Sequence, residues 1–210
     1  MVSFRLTGLN WKEAMGIFLK RGIVGTRLRK HNSNALVWKG YTMKLRIKAK
    51  LLSVHSEVEV STTDEEVVYC ADTDPLSSPR LTRLKDAEHR ELATITTARL
   101  DAKDRAHHIV MADGHTFDIK RKFRTPASTV ESYLTVEGAD WRVVMTRGWT
   151  NRFEVRDTGG RVYVEARQVP MERNDTYELN VKISERMDEL MVMCIVARSI
   201  MAADAPTNAM

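Results

Sequence analysis

Residues 184–203 read Ser-Glu-Arg-Met-Asp-Glu-Leu-Met-Val-Met-Cys-Ile-Val-Ala-Arg-Ser-Ile-Met-Ala-Ala, and this stretch decides the fold. An unbroken apolar run covers 190–197, and 200–203 continue it after Arg198 and Ser199. A helix on a protein surface shows a polar stripe every three or four residues, and this run has none. The stretch therefore predicts a helix that is covered on all sides, with the core positions Leu190, Met191, Met193, Cys194, Ile195 and Ala197.

This helix, predicted over 185–203, suits a protein core better than a membrane. Ser184 is predicted as its N-cap, and Asp188 and Glu189 lie near the positive end of the helix dipole. The apolar part is shorter than the ~20 residues that a transmembrane helix needs, and Arg198 and Ser199 interrupt it. A buried core helix is therefore favoured over a membrane span.

Upstream of the helix, apolar residues recur at every second position, which indicates strands with one dry face. Leu45, Ile47 and Ala49 alternate with basic residues after Met43. Further runs with strand character follow at residues 54–60, 66–70, 81–84, 92–96, 107–111, 115–120, 132–136, 141–145, 152–156, 161–166 and 177–183. We therefore predict a mostly β (α+β) fold, in which a closed antiparallel barrel of about twelve strands surrounds the C-terminal helix.

The charge is distributed unevenly along the 210 residues. Residues 1–50 hold twelve Lys/Arg and one acidic residue, whereas the remaining 160 residues hold 21 Lys/Arg and 27 Asp/Glu. Residues 10–21 predict a short amphipathic helix that begins at Asn10, with Glu13 completing a capping box. The expected organisation is a basic N-terminal arm over 1–42, a barrel domain over 43–204 and a disordered tail over 205–210.

The cysteines and the N-terminus indicate the compartment. Cys70 and Cys194 are too few for a disulfide framework, and Cys194 lies inside the apolar helix, where a thiol packs as a small hydrophobic group. The first residues lack the 7–15-residue apolar run of a signal peptide. A reducing, cytoplasmic location is expected, with peripheral association with a membrane as an extension of it.

Three stretches resemble the LURP-one-related branch of the Tubby C-terminal-like superfamily. They are the basic first strand at 43–53, the hairpin Phe-Glu-Val-Arg-Asp-Thr-Gly-Gly-Arg-Val-Tyr-Val-Glu-Ala at 153–166, and the ending at 175–204. The resemblance covers about 43–204. It implies a twelve-stranded barrel around the helix and kinship with the phosphoinositide-binding tubby proteins and with phospholipid scramblases. The first hairpin turn, Asp64-Glu-Glu66, departs from the pattern because it lacks the usual glycine.

Residues that could support catalysis or metal binding are better explained otherwise. His107 and His108 face opposite sides of a strand, so at most one could join His115 with Asp113 or Asp118 in a metal site. Gly159-Gly160 joins two strands and does not open a helix, unlike a phosphate-binding loop. Asp188 and Glu189 point about 100° apart on a helix. Cys70 has no nearby His in a sequence motif and is expected to be a half-buried strand thiol. We therefore expect no enzyme activity, no metal and no cofactor.

Two functions stay open, and both use the arm. The first is a membrane-associated binding module in which the arm contacts anionic phospholipid through Trp11, Lys12, Phe18, Lys20, Arg21, Arg27, Arg29 and Lys30. The second is a soluble protein-interaction or scaffold domain, with the arm packed on the acidic body or bound to an acidic protein. Nucleic acid is disfavoured because the arm would give only non-specific affinity. The protein is expected to be a monomer.

Overall fold

The structure, a computed structural model, describes residues 42–50, 56–98, 106–122, 131–170, 172, 176–182 and 184–203. The predicted helix 10–21, the rest of the arm up to residue 41 and the tail 205–210 lie outside the described residues. The described residues form twelve strands and one helix: β1 Thr42–Lys50, β2 Ser56–Thr62, β3 Val67–Asp74, β4 Arg80–Asp86, β5 Glu91–Thr97, β6 Ala106–Met111, β7 Thr116–Lys122, β8 Glu131–Glu137, β9 Trp141–Thr146, β10 Arg152–Asp157, β11 Val162–Gln168, β12 Tyr177–Lys182 and α1 Met187–Ala203.

The twelve strands form a closed antiparallel barrel, as the sequence predicts. Each strand pairs with its neighbours in the chain, and β1 closes the sheet by pairing with both β12 and β2. Leu45 lies opposite Leu179, and Ile47 lies opposite Val60 and Tyr177. Alternate residues of a strand point to the same face. These side chains all point into the barrel, and they are all buried. Closure leaves the barrel of the described strands without an unpaired sheet edge.

Helix α1 fills the barrel. All residues from Leu190 to Arg198 are buried, so no side of this stretch faces water. The helix contacts β5 on one wall and β9 and β10 on another, with four strands between β5 and β10 along the shorter arc. Burying each large apolar side chain contributes roughly 1.5–3 kcal/mol. The prediction of a central buried helix is confirmed.

The start of α1 differs from the prediction. The helix begins at Met187, so Ser184 is not its N-cap. The Oγ atom of Ser184 instead accepts a hydrogen bond from the N–H of Arg186 at 3.0 Å, which makes a local turn before the helix. The carbonyl of Arg186 then accepts the N–H of Leu190 at 3.1 Å. The Ser184 hydroxyl therefore binds the N–H of the second residue after it, and the turn that it makes places Arg186 at the helix start.

Four of the hairpin turns share one conformation, including the turn that lacks glycine. In each, the fourth residue has a positive φ: 63° at Glu65, 61° at His89, 87° at Gly114 and 85° at Gly160. The N–H of that residue donates to the carbonyl three positions earlier, as from Glu65 to Thr62 at 3.1 Å. This is the three-residue hairpin loop that ends in a left-handed residue. Glu65 and His89 therefore occupy positions that favour glycine.

Replacing Glu65 with glycine is expected to raise the free energy of unfolding by about 0.5–1 kcal/mol. A side chain at positive φ costs about 1–2 kcal/mol per residue, and glycine removes that cost. Urea denaturation of the full chain measures the change. Thr63→Gly is the matched control, since Thr63 is exposed in the same turn without a positive φ, and it should lower stability. Equal losses in both variants would contradict this explanation of the turn.

Candidate functional site

The two ends of the barrel differ in charge. The turn end carries the hairpin turns 62–67, 86–91, 111–116, 137–141 and 157–162, which together hold ten Asp or Glu and two Arg. Helix α1 begins at this end. The far end includes the loops 75–79 and 147–151. Arg147 lies in the second loop, Arg80 and Arg152 begin the strands that follow the two loops, and Arg121 lies near the far end of β7. The barrel is therefore acidic at its turn end, whereas its far end carries these arginines together with acids such as Glu57, Asp74 and Glu172.

At the turn end, the first turn of α1 places two neighbouring carboxylates in different surroundings. Glu189 accepts the indole N–H of Trp141 at 2.6 Å and two guanidinium N–H groups of Arg186. The Arg186 guanidinium also lies 4.5 Å from the centre of the Trp141 ring. Asp188 instead accepts a hydrogen bond from the Tyr69 hydroxyl at 3.2 Å. Glu189 thus has a cationic partner, whereas Asp188 has a neutral one.

The two environments have different electrostatic consequences. Burial raises the pKa of Asp188, and the hydrogen bond from Tyr69 only partly opposes this. The nearby carboxylates Asp86, Asp113 and Glu189 raise it further. Both acids were predicted to serve the helix start and not to form a catalytic pair. Their separate partners are consistent with that interpretation.

The far end combines close cations with exposed apolar side chains. Burial lowers the pKa of Arg121, and burial followed by the charge of Arg121 lowers the pKa of Arg147. Both stay protonated at neutral pH, so two positive charges lie near each other. On the rim, Trp149 is fully exposed and Leu76 is 93% exposed. Their loops are separated by four strands in either direction around the barrel.

A groove of about 430 Å³ crosses the outer wall at β8, β9 and β10, near the β10–β11 turn. The strand register places Thr135, Arg142 and Arg156 in one row across the three strands. Tyr133, Val144 and Glu154 form the next row. The guanidinium carbon of Arg142 lies 5.2 Å from the centre of the Tyr133 ring. The groove thus has an apolar part and an arginine-lined part.

Comparison with models of protein families identifies the family of this chain. A family model described as LURP-one-related matches residues 43–198. The chain belongs to the LURP-one-related family. The matched range runs from β1 into the last turns of α1, so it includes the complete barrel and most of the helix inside it. No curated protein matches the chain, and no solved structure does.

The histidines of the LURP-one-related barrel are distributed over both faces of its wall. His107 points inward and is buried, with Nδ1 2.9 Å from Thr97 Oγ1. His108 points outward, with Nδ1 2.7 Å from Asp118 Oδ1. His115 Nε2 lies 3.1 Å from the carbonyl oxygen of Gly138. Across the described ranges, no group of three or more His, Cys, Asp or Glu is arranged to hold a metal ion.

Both cysteines are buried, and neither has the surroundings of a reactive thiol. Cys194 lies at the centre of α1, where burial raises its pKa. Cys70 was expected to be half-buried, but it is buried on the outer face of β3, and burial and then Asp72 raise its pKa. A nucleophilic cysteine needs a lowered pKa. The described surroundings therefore favour the thiol form at both positions.

The predicted lipid-contact residues Trp11, Lys12, Phe18, Lys20, Arg21, Arg27, Arg29 and Lys30 lie outside the described residues and stay predictions. The core positions Leu190, Met191, Met193, Cys194, Ile195 and Ala197 are all buried in α1. Among the described residues, no helix is both long and apolar enough to span a bilayer.

The sequence analysis did not predict the groove or the arginines of the far end. Alternation along β9 and β10 places Arg142 and Arg156 on the outer face. Their opposition across two strands, however, depends on the pairing register. The loop that carries Trp149 had a usable signal, since Gly148 and the polar residues Thr150 and Asn151 around it are typical of a loop, and loops lie on the surface. The surface of the LURP-one-related domain is therefore less predictable than its core.

Proposed function

We propose that the protein is a non-enzymatic binding module that associates, as a peripheral protein in the cytoplasm, with membranes that contain anionic phospholipid. The observation that carries this proposal is the far end, where fully exposed Trp149 and 93%-exposed Leu76 lie on opposite sides of a rim that carries arginines. Membership of the LURP-one-related family supports a binding role for the barrel.

The chemistry of the far end suits an interface between lipid headgroups and acyl chains. Tryptophan has an apolar ring with a polar N–H and is enriched at membrane interfaces. Arg80 and Arg152 are exposed beside the two rim loops. Each basic residue near an anionic surface contributes roughly 1 kcal/mol. Two apolar anchors on opposite sides of one rim would hold the barrel end-on, with its axis close to the membrane normal.

Co-sedimentation of the full chain with vesicles tests this proposal. We expect binding to vesicles of phosphatidylcholine mixed with phosphatidylserine, and much weaker binding to phosphatidylcholine alone. Trp149→Ala should weaken binding about tenfold, because it removes an interfacial anchor worth roughly 1.5–3 kcal/mol. Val110→Ala is the matched control, since Val110 is the exposed apolar residue on β6 outside the far end.

A second variant separates the rim from the arm. Thr42 pairs with Lys182 at the turn end, so the arm joins the barrel at the end opposite Trp149. If the arm makes the contact, the combined change Arg27→Gln, Arg29→Gln and Lys30→Gln should abolish vesicle binding and Trp149→Ala should not affect it. That outcome would refute the rim proposal and keep the lipid-binding function. An absence of binding by the parent chain would refute both.

The position of Thr42 favours a second candidate, a soluble protein-interaction domain whose arm packs on its own barrel. Residues 1–41 carry eight Lys/Arg and one acidic residue, and they join the barrel beside the ten carboxylates of the turn end. Opposite charges in one chain attract without a second molecule. Here the charge reversals Arg27→Glu, Arg29→Glu and Lys30→Glu should lower the melting temperature at low salt, and less so at high salt.

A further inference from the structure

The groove on the outer wall combines arginines with an apolar floor in a way that no property derived above explains. We propose that it binds a small amphipathic organic anion. The acidic group would lie at Arg142 and Arg156, and the apolar body would lie on Tyr133 and Val144. This site is independent of the proposed membrane contact, which uses the far end of the barrel.

The charge in the groove is the first argument. Arg142 and Arg156 are direct cross-strand partners on β9 and β10. Like charges in that relation destabilise a sheet, and only one of the two is neutralised locally. The Nε and Nη2 atoms of Arg156 donate to Glu154 at 2.8 Å and 2.5 Å. An anion between the two guanidinium groups would relieve their repulsion.

Arg142 has a different environment from Arg156. Its side chain is exposed, and it lies over the Tyr133 ring. In the described part of the chain, no carboxylate forms an ion pair with it. The acid that lines the groove, Asp157, uses Oδ1 to accept the backbone N–H of Arg161 at 2.8 Å. The charge-assisted hydrogen bonds of Arg142 are therefore available to a ligand.

The floor of the groove is the second argument. Val143 points into the barrel and is fully buried, so Val144 points outward. Val144 is nevertheless only 9% exposed, because it lies between Tyr133 on β8 and Glu154 on β10. Its methyl groups and the Tyr133 ring form an apolar patch next to the two arginines. A volume of about 430 Å³ is in the lower part of the range for small-molecule sites.

The fluorescent probe 1-anilinonaphthalene-8-sulfonate has the required chemistry, since it joins one sulfonate to an apolar aromatic body. We expect the full chain to bind it with enhanced emission and decanoate to displace it. Arg142→Gln should weaken probe binding about tenfold or more, because a charge-assisted hydrogen bond is lost. Val144→Phe should weaken binding, because the larger ring occupies the floor on which the apolar body would lie. Circular dichroism before and after heating verifies that each variant is folded.

Arg152→Gln is the matched control. Arg152 is an exposed arginine on the same strand as Arg156, and it does not line the groove. Its loss should leave probe affinity within about twofold, since it removes only a distant, screened charge. The neutral analogue N-phenyl-1-naphthylamine should bind with the same affinity to the parent and to Arg142→Gln.

Three outcomes would overturn the proposal. If Arg142→Gln and Arg152→Gln weaken binding equally, the probe responds to the overall positive charge of the surface and does not occupy a defined site. If Val144→Phe leaves the affinity unchanged, the groove does not hold the apolar body. If Trp149→Ala abolishes binding, the probe occupies the rim of the far end.

Discussion

Met193→Ala is expected to lower the free energy of unfolding by about 3–4 kcal/mol, toward the upper part of the range for large-to-small core substitutions. Met193 is fully buried at the middle of α1. The cost of such a cavity depends on how far its surroundings can relax into it. Here the surroundings are a closed, hydrogen-bonded barrel, which cannot contract at one level without breaking strand pairs.

Urea denaturation of the full chain measures this effect, with Ser199→Ala as the control on the same helix. Ser199 is exposed, and its hydroxyl donates to the Val196 carbonyl at 2.8 Å. Substitutions at such positions change stability by less than about 0.5 kcal/mol. A loss below about 1 kcal/mol for Met193→Ala would show that the barrel adjusts around the helix, contrary to the rigid wall inferred here.

The second large effect is on the free energy of unfolding, which should fall on substitution of Glu189 and rise on substitution of its neighbour Asp188. Glu189→Gln is expected to destabilise the fold by about 2 kcal/mol, since hydrogen bonds to charged groups contribute about 1.5–3 kcal/mol. Glu189 is 14% exposed and accepts from both Arg186 and Trp141. A glutamine amide cannot accept all of these N–H groups, and it leaves the Arg186 charge without its partner.

Asp188→Asn should instead stabilise the protein at neutral pH. Because burial raises the pKa of Asp188 in the fold, the folded state binds this proton more tightly than the unfolded chain. The stabilising contribution is therefore complete below the unfolded pKa and is lost as pH rises through the folded pKa. Each pKa unit corresponds to about 1.4 kcal/mol. Asparagine cannot ionise, and its carbonyl can still accept the Tyr69 hydroxyl.

The pH dependence separates this explanation from a general effect of removing negative charge. The advantage of Asp188→Asn should shrink as pH falls below the folded pKa, where the parent carries a protonated Asp188. Asp140→Asn is a matched control, because Asp140 is exposed at the same end of the barrel. Stabilisation by Asp140→Asn equal to that by Asp188→Asn would attribute the gain to relief of the acidic turn end as a whole.

The architecture could be predicted from the sequence because its signals are local and strong. The apolar run from Leu190 to Ala197 must be covered by other parts of the protein. Strands in which every second residue is apolar supply one apolar face each. A closed barrel around the helix is the arrangement that satisfies both requirements. The glycine at position 160 likewise indicates its turn directly, because few other residues adopt a positive φ.

The remaining features depend on contacts and strand register between residues that are far apart in the sequence. Glu65 adopts a positive φ because its two flanking strands impose the same loop that glycines make elsewhere. Ser184 had the right residue type for an N-cap, but the path from β12 into the barrel moved the helix start to Met187. The opposition of Arg142 and Arg156 follows from strand register, which is set by the whole barrel. The surface chemistry is therefore determined by the pairing of the strands and not by any short stretch of sequence.

The place of α1 inside the barrel also governs when this protein can fold during synthesis. All twelve described strands precede the helix in the chain. A ribosome therefore finishes the strands of the barrel before it synthesises the helix that packs inside them. Until residues 187–203 emerge, the inward faces of the strands have nothing to pack against, and their apolar surface and unpaired edges are open to aggregation. Folding can therefore be completed only after the helix has been translated.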